Sequence, residues 1–404
     1  SLIIGLLKAP TYYSPISNKE NALRRRNSII AQMSKYGFLT KTAADSIQKI
    51  PIKLNFRQPL PEAADATYFK DAVARDLQEW SKETGYNIFT DGLKIYTTID
   101  PKMQEYAEQA VATHMKRLQK RFFEHWRGEN PWIDSKGNEI VGFIDDLVHE
   151  TGTYKVLKER YKDNADSIDY YLNLPHKMSV FTWEGATDTT LSVIDSIKYY
   201  RHLLNTGFVS IDPHNSFVKA WVGGIDYRYF KYDHVNQAKR QPGSLFKAFV
   251  YAAAFEQGLG PCDHRTDSPV TIDYTERGEK KTWSPHNANW EFTWNNISLK
   301  NAFARSINSI AVQLTKEIGW NKVIEMAHRM GIESELQNVP SVGLGSSEVN
   351  LLELVNAYCV FLNNGLLNKP VLVTKITDSE GKILFEYKAQ QKRVLDEETA
   401  FLMS

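Results

Sequence analysis

An α+β fold is predicted by three features of the 404-residue chain. Amphipathic helical patterns fill residues 1–60 and return after residue 298. Two β-hairpin patterns stand apart from those helices, "GFVSIDPHNSFVKAWVGG" from Gly207 and "VLVTKITDSEGKILFE" from Val371. Between them "RQPGSLFKAFVYAAAFEQG" turns at Pro242-Gly243 into a helix that is apolar almost all round, as only a buried helix can be.

Taken in order, Asn18 is a candidate N-cap for a helix with an apolar stripe at Leu23, Ile30 and Met33, ended by Gly37. Thr40 caps the next helix, which runs to about Ile50 before Pro51. A third helix over 67–84 carries Tyr68, Val73, Leu77 and Trp80. "GLKIYTTID", Gly92 to Asp100, is rich in β-branched and aromatic residues and reads as a strand. Asp100-Pro101 then opens a helix through Lys120, with Asp as N-cap and Pro at the first helical position. Residues 121–205 mix aromatics, charges and glycine without sustained periodicity until a helix at about 190–204. After the Gly207 hairpin and the apolar helix come a loop region (259–296), one continuous helix at about 298–318, and the amphipathic "NKVIEMAHRMG". "SSEVNLLELVNAYCVFLNNG" is a further helix, capped at Ser346 or Ser347. No internal repeat is visible.

Composition bounds the function. Hydrophobic residues are 42% and charged residues 24%, ordinary for a globular protein, and 404 residues suffice for two or three domains. The net charge of +1 offers no field that would recruit nucleic acid. Aromatics reach 12%, which suits either large core residues or surfaces that grip extended, sugar-like ligands. No run of about 20 apolar residues is present to span a membrane. The 10 histidines show no metal-ligand spacing, and Gly343-x-Gly345 lacks the remainder of a phosphate loop, so no cofactor and no metal are expected. Cys262 and Cys359 lie in apolar helical surroundings and read as buried free thiols. The chain opens on "SLIIGLLKAP" and closes on "ETAFLMS", and is read as a piece of a longer protein.

The chemistry concentrates at Ser244. Ser-x-x-Lys recurs at Ser46–Lys49, on a polar helix, and at Ser216–Lys219, in a strand where odd spacing sends the two side chains to opposite faces. Only Ser244–Lys247 stands at a helix start among apolar neighbours, where positions i and i+3 share a face. A serine hydroxyl needs a base to become a nucleophile. A lysine serves as that base when burial lowers its proton affinity. A helix N-terminus also aims the Ser244 backbone N–H at a developing oxyanion. A capping serine beside a snorkelling lysine fits the same pattern. Ser-x-Asn occurs once, at Ser306–Asn308, near a helix start. Its serine can relay a proton and its asparagine can bond both a peptide and a nearby lysine, although local capping would also account for it. These readings place Ser244 and Lys247 within hydrogen-bonding reach of each other, with Ser306 and Asn308 lining the same cleft.

Ser-x-x-Lys followed by Ser-x-Asn belongs to the signature of penicillin-binding proteins and class A β-lactamases. The chain resembles the class A, bifunctional penicillin-binding proteins over nearly its whole length. "LLKAPTYYSP…RRRNSIIAQMSKYGFLT" resembles the end of their glycosyltransferase domain, and "GLKIYTTIDPKMQEYAEQAV" the segment leading toward the transpeptidase. "FVSIDPHNSFVKAWVGG", "RQPGSLFKAFVYAAAFEQG" and "VGLGSSEVNLLELVNAYCVFLNNG" resemble transpeptidase blocks. The resemblance implies a transpeptidase fold of the penicillin-binding-protein/β-lactamase kind, a sheet flanked by helices plus a helical lobe, with the site between them. It implies three parts: a glycosyltransferase remnant (1–60), a mixed linker (61–205) and a transpeptidase domain (206–404). It implies that Ser244 is the acylated nucleophile, Lys247 its base, Ser306 the proton relay to the departing amine, and Asn308 the residue orienting the substrate's peptide bond.

The implied substrate is the D-Ala-D-Ala end of a peptidoglycan stem, cross-linked through an acyl-enzyme on the extracytoplasmic side of a bacterial inner membrane. β-Lactams are implied as covalent inhibitors and other cell-wall synthesis proteins as partners, with the membrane reached only through an N-terminal anchor outside this chain. Two departures stand out. Ala248 follows the motif lysine where the family usually has proline, and no Lys-Thr-Gly occurs anywhere. The chain is expected to stop before that strand and to react poorly on its own. A β-lactamase or β-lactam sensor with the same serine chemistry, and a non-catalytic wall scaffold, remain as rival readings.

Overall fold

The computed structural model describes residues 2–6, 9, 12–15, 18–52 and 67–404. The chain divides into two compact units, 1–63 and 64–404. The expected boundary at residues 60 and 61 lies outside the described residues.

In the first unit, Lys19–Lys35 and Lys41–Lys49 are helices. The Thr40 hydroxyl caps the second by accepting from the Ala43 N–H. The buried face of the first is Ala22, Arg26, Ile29 and Ile30, so Ile30 of the expected stripe is buried while Leu23 and Met33 are half-buried. Arg26 is buried because it is spent on backbone, donating to the carbonyls of Ile50 and Gln48.

The second unit contains separate hydrophobic cores. On the sheet side, Lys94–Thr97, Val373–Thr377 and Ile383–Glu386 form an antiparallel sheet in that order. The Phe208–Ile211 and Val218–Val222 strands pair as the predicted hairpin. The buried Thr98 hydroxyl bridges the two ladders through the Val218 and Val371 carbonyls. Helix Pro101–His125 starts on the Asp100 side-chain cap and docks through Gln104. The Gln104 amide donates to the Trp221 carbonyl and accepts from its N–H, so a side chain satisfies the exposed edge of that strand. The expected 67–84 helix is broken at Leu77 into Thr67–Asp76 and Gln78–Thr84.

Residues 121–205 hold more order than their sequence announced. Helices Phe143–Glu150, Gly152–Arg160, Ala165–Asn173 and Val193–Arg201 build a small core around Trp132, Ile144, Val148, Leu157, Ile168 and Leu172, while the hairpin His176–Thr182/Gly185–Leu191 packs its Phe181 against Trp183, Tyr229 and Phe230. Val193–Arg201 lies in the helix expected at about 190–204; the other three are short, so each shows too few turns for a period to emerge. Gln119, itself buried, ties this region to the long helix through the His202 carbonyl and the Leu204 N–H.

The helical lobe has Lys247–Glu256 at its centre, with every residue from Lys247 to Phe255 buried. Its core adds side chains from Asn308–Ile318, Trp320–Arg329, Leu351–Leu362 and Glu397–Met403. Three expectations are corrected here. The 298–318 helix is two helices, Leu299–Ala304 and Asn308–Ile318. Helix Leu351–Leu362 is capped by Asn350, because Ser347 is turned inward to accept from the Gln337 N–H and Ser346 bonds Ser341. Cys262 is exposed on a turn while Cys359 is buried, its thiol pushed up to about 11 by burial. A further Ser-x-x-Lys, Ser379–Lys382, sits in the exposed hairpin turn after Val373–Thr377.

Candidate active site

Ser244 lies in a 3-10 turn, Gly243–Phe246, that feeds the buried helix. Gly243 has φ +57 and follows Pro242 at φ −69, so the chain reverses sharply and lifts Ser244 to the surface. Ser244 is exposed, and no described group accepts its backbone N–H. The segment before it, Lys239–Arg240, pairs antiparallel with Val349–Asn350. The segment after it is held where the Tyr358 hydroxyl donates to the Leu245 carbonyl.

A second support was legible only as an absence. Gly345 has φ +75, and a Cβ built there would stand 2.2 Å from the Gly243 oxygen. The Gly243 N–H donates to the Gly345 carbonyl at 3.3 Å. Backbone thus lies on backbone at Gly345, beneath the Ser244 turn, while Gly343 of the same "VGLGSS" lets the chain lie against Thr315. We predict that Gly345→Ala costs about 2–4 kcal/mol, from a left-handed alanine and a clash with main chain. A fall of several degrees in melting temperature checks this, and an unchanged value refutes it.

Lys247 is 1% exposed, and burial lowers its proton affinity to about 8. Its ammonium donates to the Ser306 carbonyl at 2.7 Å, the Ser306 hydroxyl at 3.0 Å and the Asn308 Oδ1 at 2.6 Å. An ammonium has three donors, and three acceptors meet them. The expected hydrogen bond between Ser244 and Lys247 is absent from this arrangement, and Ser244 forms no side-chain hydrogen bond among the described residues. While charged, Lys247 has no lone pair to offer a hydroxyl. Once it sheds a proton, the nitrogen can accept from Ser244.

The break between the two helices places the other partners. Helix Leu299–Ala304 ends in a Schellman arrangement: the Ile307 N–H reaches the Ala302 carbonyl and the Ser306 N–H the Phe303 carbonyl. The position that glycine usually takes in this motif is Ser306, at φ +53. A left-handed serine costs about 1–2 kcal/mol, strain of the kind found where a side chain is needed for function. It brings both the carbonyl and the hydroxyl of Ser306 onto one ammonium. Asn308 opens the following helix, with Oδ1 on Lys247 and Nδ2 donating to the His286 carbonyl at 2.8 Å. Lys247, Ser306 and Asn308 are therefore joined directly, while Ser244 stands one turn away at the surface. Sequence reading passed over His286, which it assigned to an undifferentiated loop.

The arrangement suits nucleophilic acyl transfer: a surface hydroxyl, a buried amine poised near neutrality, and a second hydroxyl bonded to that amine.

Residues 127–204 match the penicillin-binding protein middle domain, and residues 206–404 the penicillin-binding protein transpeptidase domain. Penicillin-binding protein 2D of Bacillus subtilis is 29% identical over 405 residues, which cover 100% of this chain and 46% of that protein. Penicillin-binding protein 1A of Escherichia coli is 27% identical over 425 residues, covering 96% of this chain and 48% of that protein. The chain spans about half the length of the curated relatives it matches. In fold it is similar to penicillin-binding protein 1A from Haemophilus influenzae, with a TM-score of 0.67 and 23% identity over 100% of this chain and 65% of that one. It is also similar to PonA1 from Mycobacterium tuberculosis in complex with penicillin V, with a TM-score of 0.50 and 20% identity over 83% of this chain and 68% of that one.

Proposed function

The chain belongs to the class A penicillin-binding proteins and carries their middle and transpeptidase domains, and from that premise we propose that it is the D,D-transpeptidase part of a bifunctional cell-wall synthase. The observation that carries the reading is the buried Lys247, held by Ser306 and Asn308 one turn after an exposed Ser244.

In this reading neutral Lys247 takes the Ser244 proton as Oγ attacks the carbonyl between the two D-alanines of a stem peptide. The carbonyl π electrons move onto oxygen, beside the Ser244 N–H. The C–N bond then breaks, the proton passes from Lys247 through Ser306 to the departing D-alanine nitrogen, and an ester remains on Ser244. The amine of a neighbouring stem attacks that ester, returns a proton along the same route, and leaves as the cross-linked amide. Asn308 orients the donor peptide with the amide hydrogen not committed to His286. A β-lactam acylates the same oxygen, and its leaving nitrogen stays tethered. The setting is the extracytoplasmic face of the bacterial inner membrane. No described helix is long and apolar enough to cross a membrane.

Intact-mass measurement after incubation of the parent protein with penicillin tests the proposal. A stable adduct mapping to Ser244 is expected. Rapid turnover would favour a β-lactamase-like hydrolase, and no adduct a binding scaffold. The acylation rate is also expected to rise about tenfold per pH unit below about 8 and to level off above, because only neutral Lys247 can accept the proton. A flat profile between pH 6 and 9 would exclude Lys247 as the base.

A further inference from the structure

Asp267 lies 42 residues before Ser309 and outside every motif singled out above, yet it is 2% exposed and carries a carboxylate. Its Oδ1 accepts from the Ser309 hydroxyl at 2.7 Å and from Asn287 Nδ2 at 2.8 Å. Its Oδ2 accepts from the Thr293 N–H at 2.9 Å and the Thr293 hydroxyl at 2.8 Å. Burial pushes the carboxyl up, but the bonds from Ser309, Thr293 and Asn287 more than offset this and hold it below its ordinary value. Four hydrogen bonds from neutral donors thus keep the buried carboxylate ionised and tie the residues that donate them to one point, which holds something in place. The Asp267 backbone grips the same loop, its N–H donating to the Asn295 carbonyl and its carbonyl accepting from the Trp294 N–H.

The thing held is the start of helix Asn308–Ile318. That helix has no side-chain cap of its own, since Ile307 occupies the capping position. Asn287 supplies the cap from a distance: its Oδ1 accepts the Ser309 N–H at 3.0 Å while its Nδ2 is bound to Asp267. One residue earlier, the His286 carbonyl takes Asn308 Nδ2, which turns Asn308 Oδ1 toward Lys247. The loop pays for this placement in conformation, with Trp290 at φ +62 and Trp294 at φ +57, a region that bulky side chains rarely adopt.

We propose that Asp267 is a positioning residue for the transpeptidase site: through Asn287 and His286 it fixes the rotamer of Asn308 and so the proton affinity of Lys247. The inference rests on the acyl-transfer reading of that site. Without the clamp Asn308 is free to turn, and the Lys247 ammonium keeps two of its three acceptors. Hydrogen bonds to a charged form favour that form. Losing one therefore lowers the proton affinity of Lys247 further.

The test uses Asp267→Asn, whose amide would point hydrogens at existing donors, and Asn287→Ala, which cuts the link while leaving Asp267 in place. Three quantities are read on the parent protein: the pH midpoint and plateau of penicillin acylation, the NMR titration of the Lys247 side chain, and hydrogen exchange over residues 284–295. Both variants are expected to shift the Lys247 midpoint down by at least half a pH unit. The acylation plateau should fall tenfold or more, and exchange in the loop should quicken. A wild-type Lys247 midpoint and plateau in Asn287→Ala would overturn the proposal, as would the same result in a folded Asp267→Asn. If wild-type protein fails to acylate at all, the functional reading falls, while the Lys247 titration still decides whether Asp267 positions it.

Discussion

Ser244→Ala is expected to abolish penicillin acylation while leaving the fold nearly intact. The residue is exposed and makes no side-chain hydrogen bond among the described residues, so its removal opens no cavity and orphans no partner. Loss of a helix-start hydroxyl costs about 1 kcal/mol at most, and here it caps nothing. The covalent step, in contrast, has no substitute oxygen. Ser306 is bound to the Lys247 ammonium, and the other Ser-x-x-Lys serines lie on a surface helix, in a buried strand turn and in an exposed hairpin turn. The check is labelling by a fluorescent penicillin alongside a thermal melt. Labelling of the alanine variant at the wild-type rate would show that another residue is attacked.

Lys247→Met is expected to reduce acylation by about 10²–10⁴-fold, the usual contribution of a positioned base. Its effect on stability separates two opposed terms. Holding a buried ammonium whose proton affinity has fallen from 10.5 to about 8 costs roughly 3 kcal/mol at neutral pH. Methionine removes that cost but leaves the Ser306 and Asn308 acceptors unpaired, at about 1–3 kcal/mol each. With three such acceptors the second term, about 3–9 kcal/mol, equals or exceeds the first at pH 7. Only the first depends on pH. A lysine with a lowered folded value is penalised fully below about 8 and progressively less as pH rises toward 10.5, where the unfolded chain also loses its proton. Wild-type protein should therefore gain stability relative to Lys247→Met across that window, measured as the difference between their unfolding free energies. A difference that stays constant from pH 7 to 10 would mean that Lys247 is not desolvated in solution.

The site shows where sequence legibility stops. Ser244 and Lys247 were readable because their relation is local: three residues, one turn, apolar neighbours and a Pro-Gly entry. Ser306 and Asn308 were readable as a pair for the same reason. That Ser306 occupies a left-handed helix terminus was hidden, because "LKNAFARSINSIAVQL" has apolar spacing that a single helix would also satisfy. Only the packing of two helices against the buried one decides that the chain must break at Arg305–Ile307. Three of the four short helices of 127–204 escaped notice because each is about two turns long, while Val193–Arg201 falls inside the helix expected at about 190–204. Gly343-x-Gly345 was too little for a phosphate loop, and only the contact of Gly345 with Gly243 gives that glycine a use. Asp267, Asn287 and His286 had no local signal at all.

By itself, the sequence determined the fold class, the family, the placement of the buried helix and the side chains able to do chemistry. Each of these is written in spacing of a few residues or in ordered blocks along the chain. The tertiary structure alone decided that the lysine's three hydrogens go to Ser306 and Asn308 rather than to Ser244, that its charge is held at 1% exposure, and that a distant carboxylate holds the loop beside it. Proton affinity depends on solvent exclusion and on which acceptors surround a charge. Those are set by residues tens of positions apart in the chain, brought together only when the lobe packs.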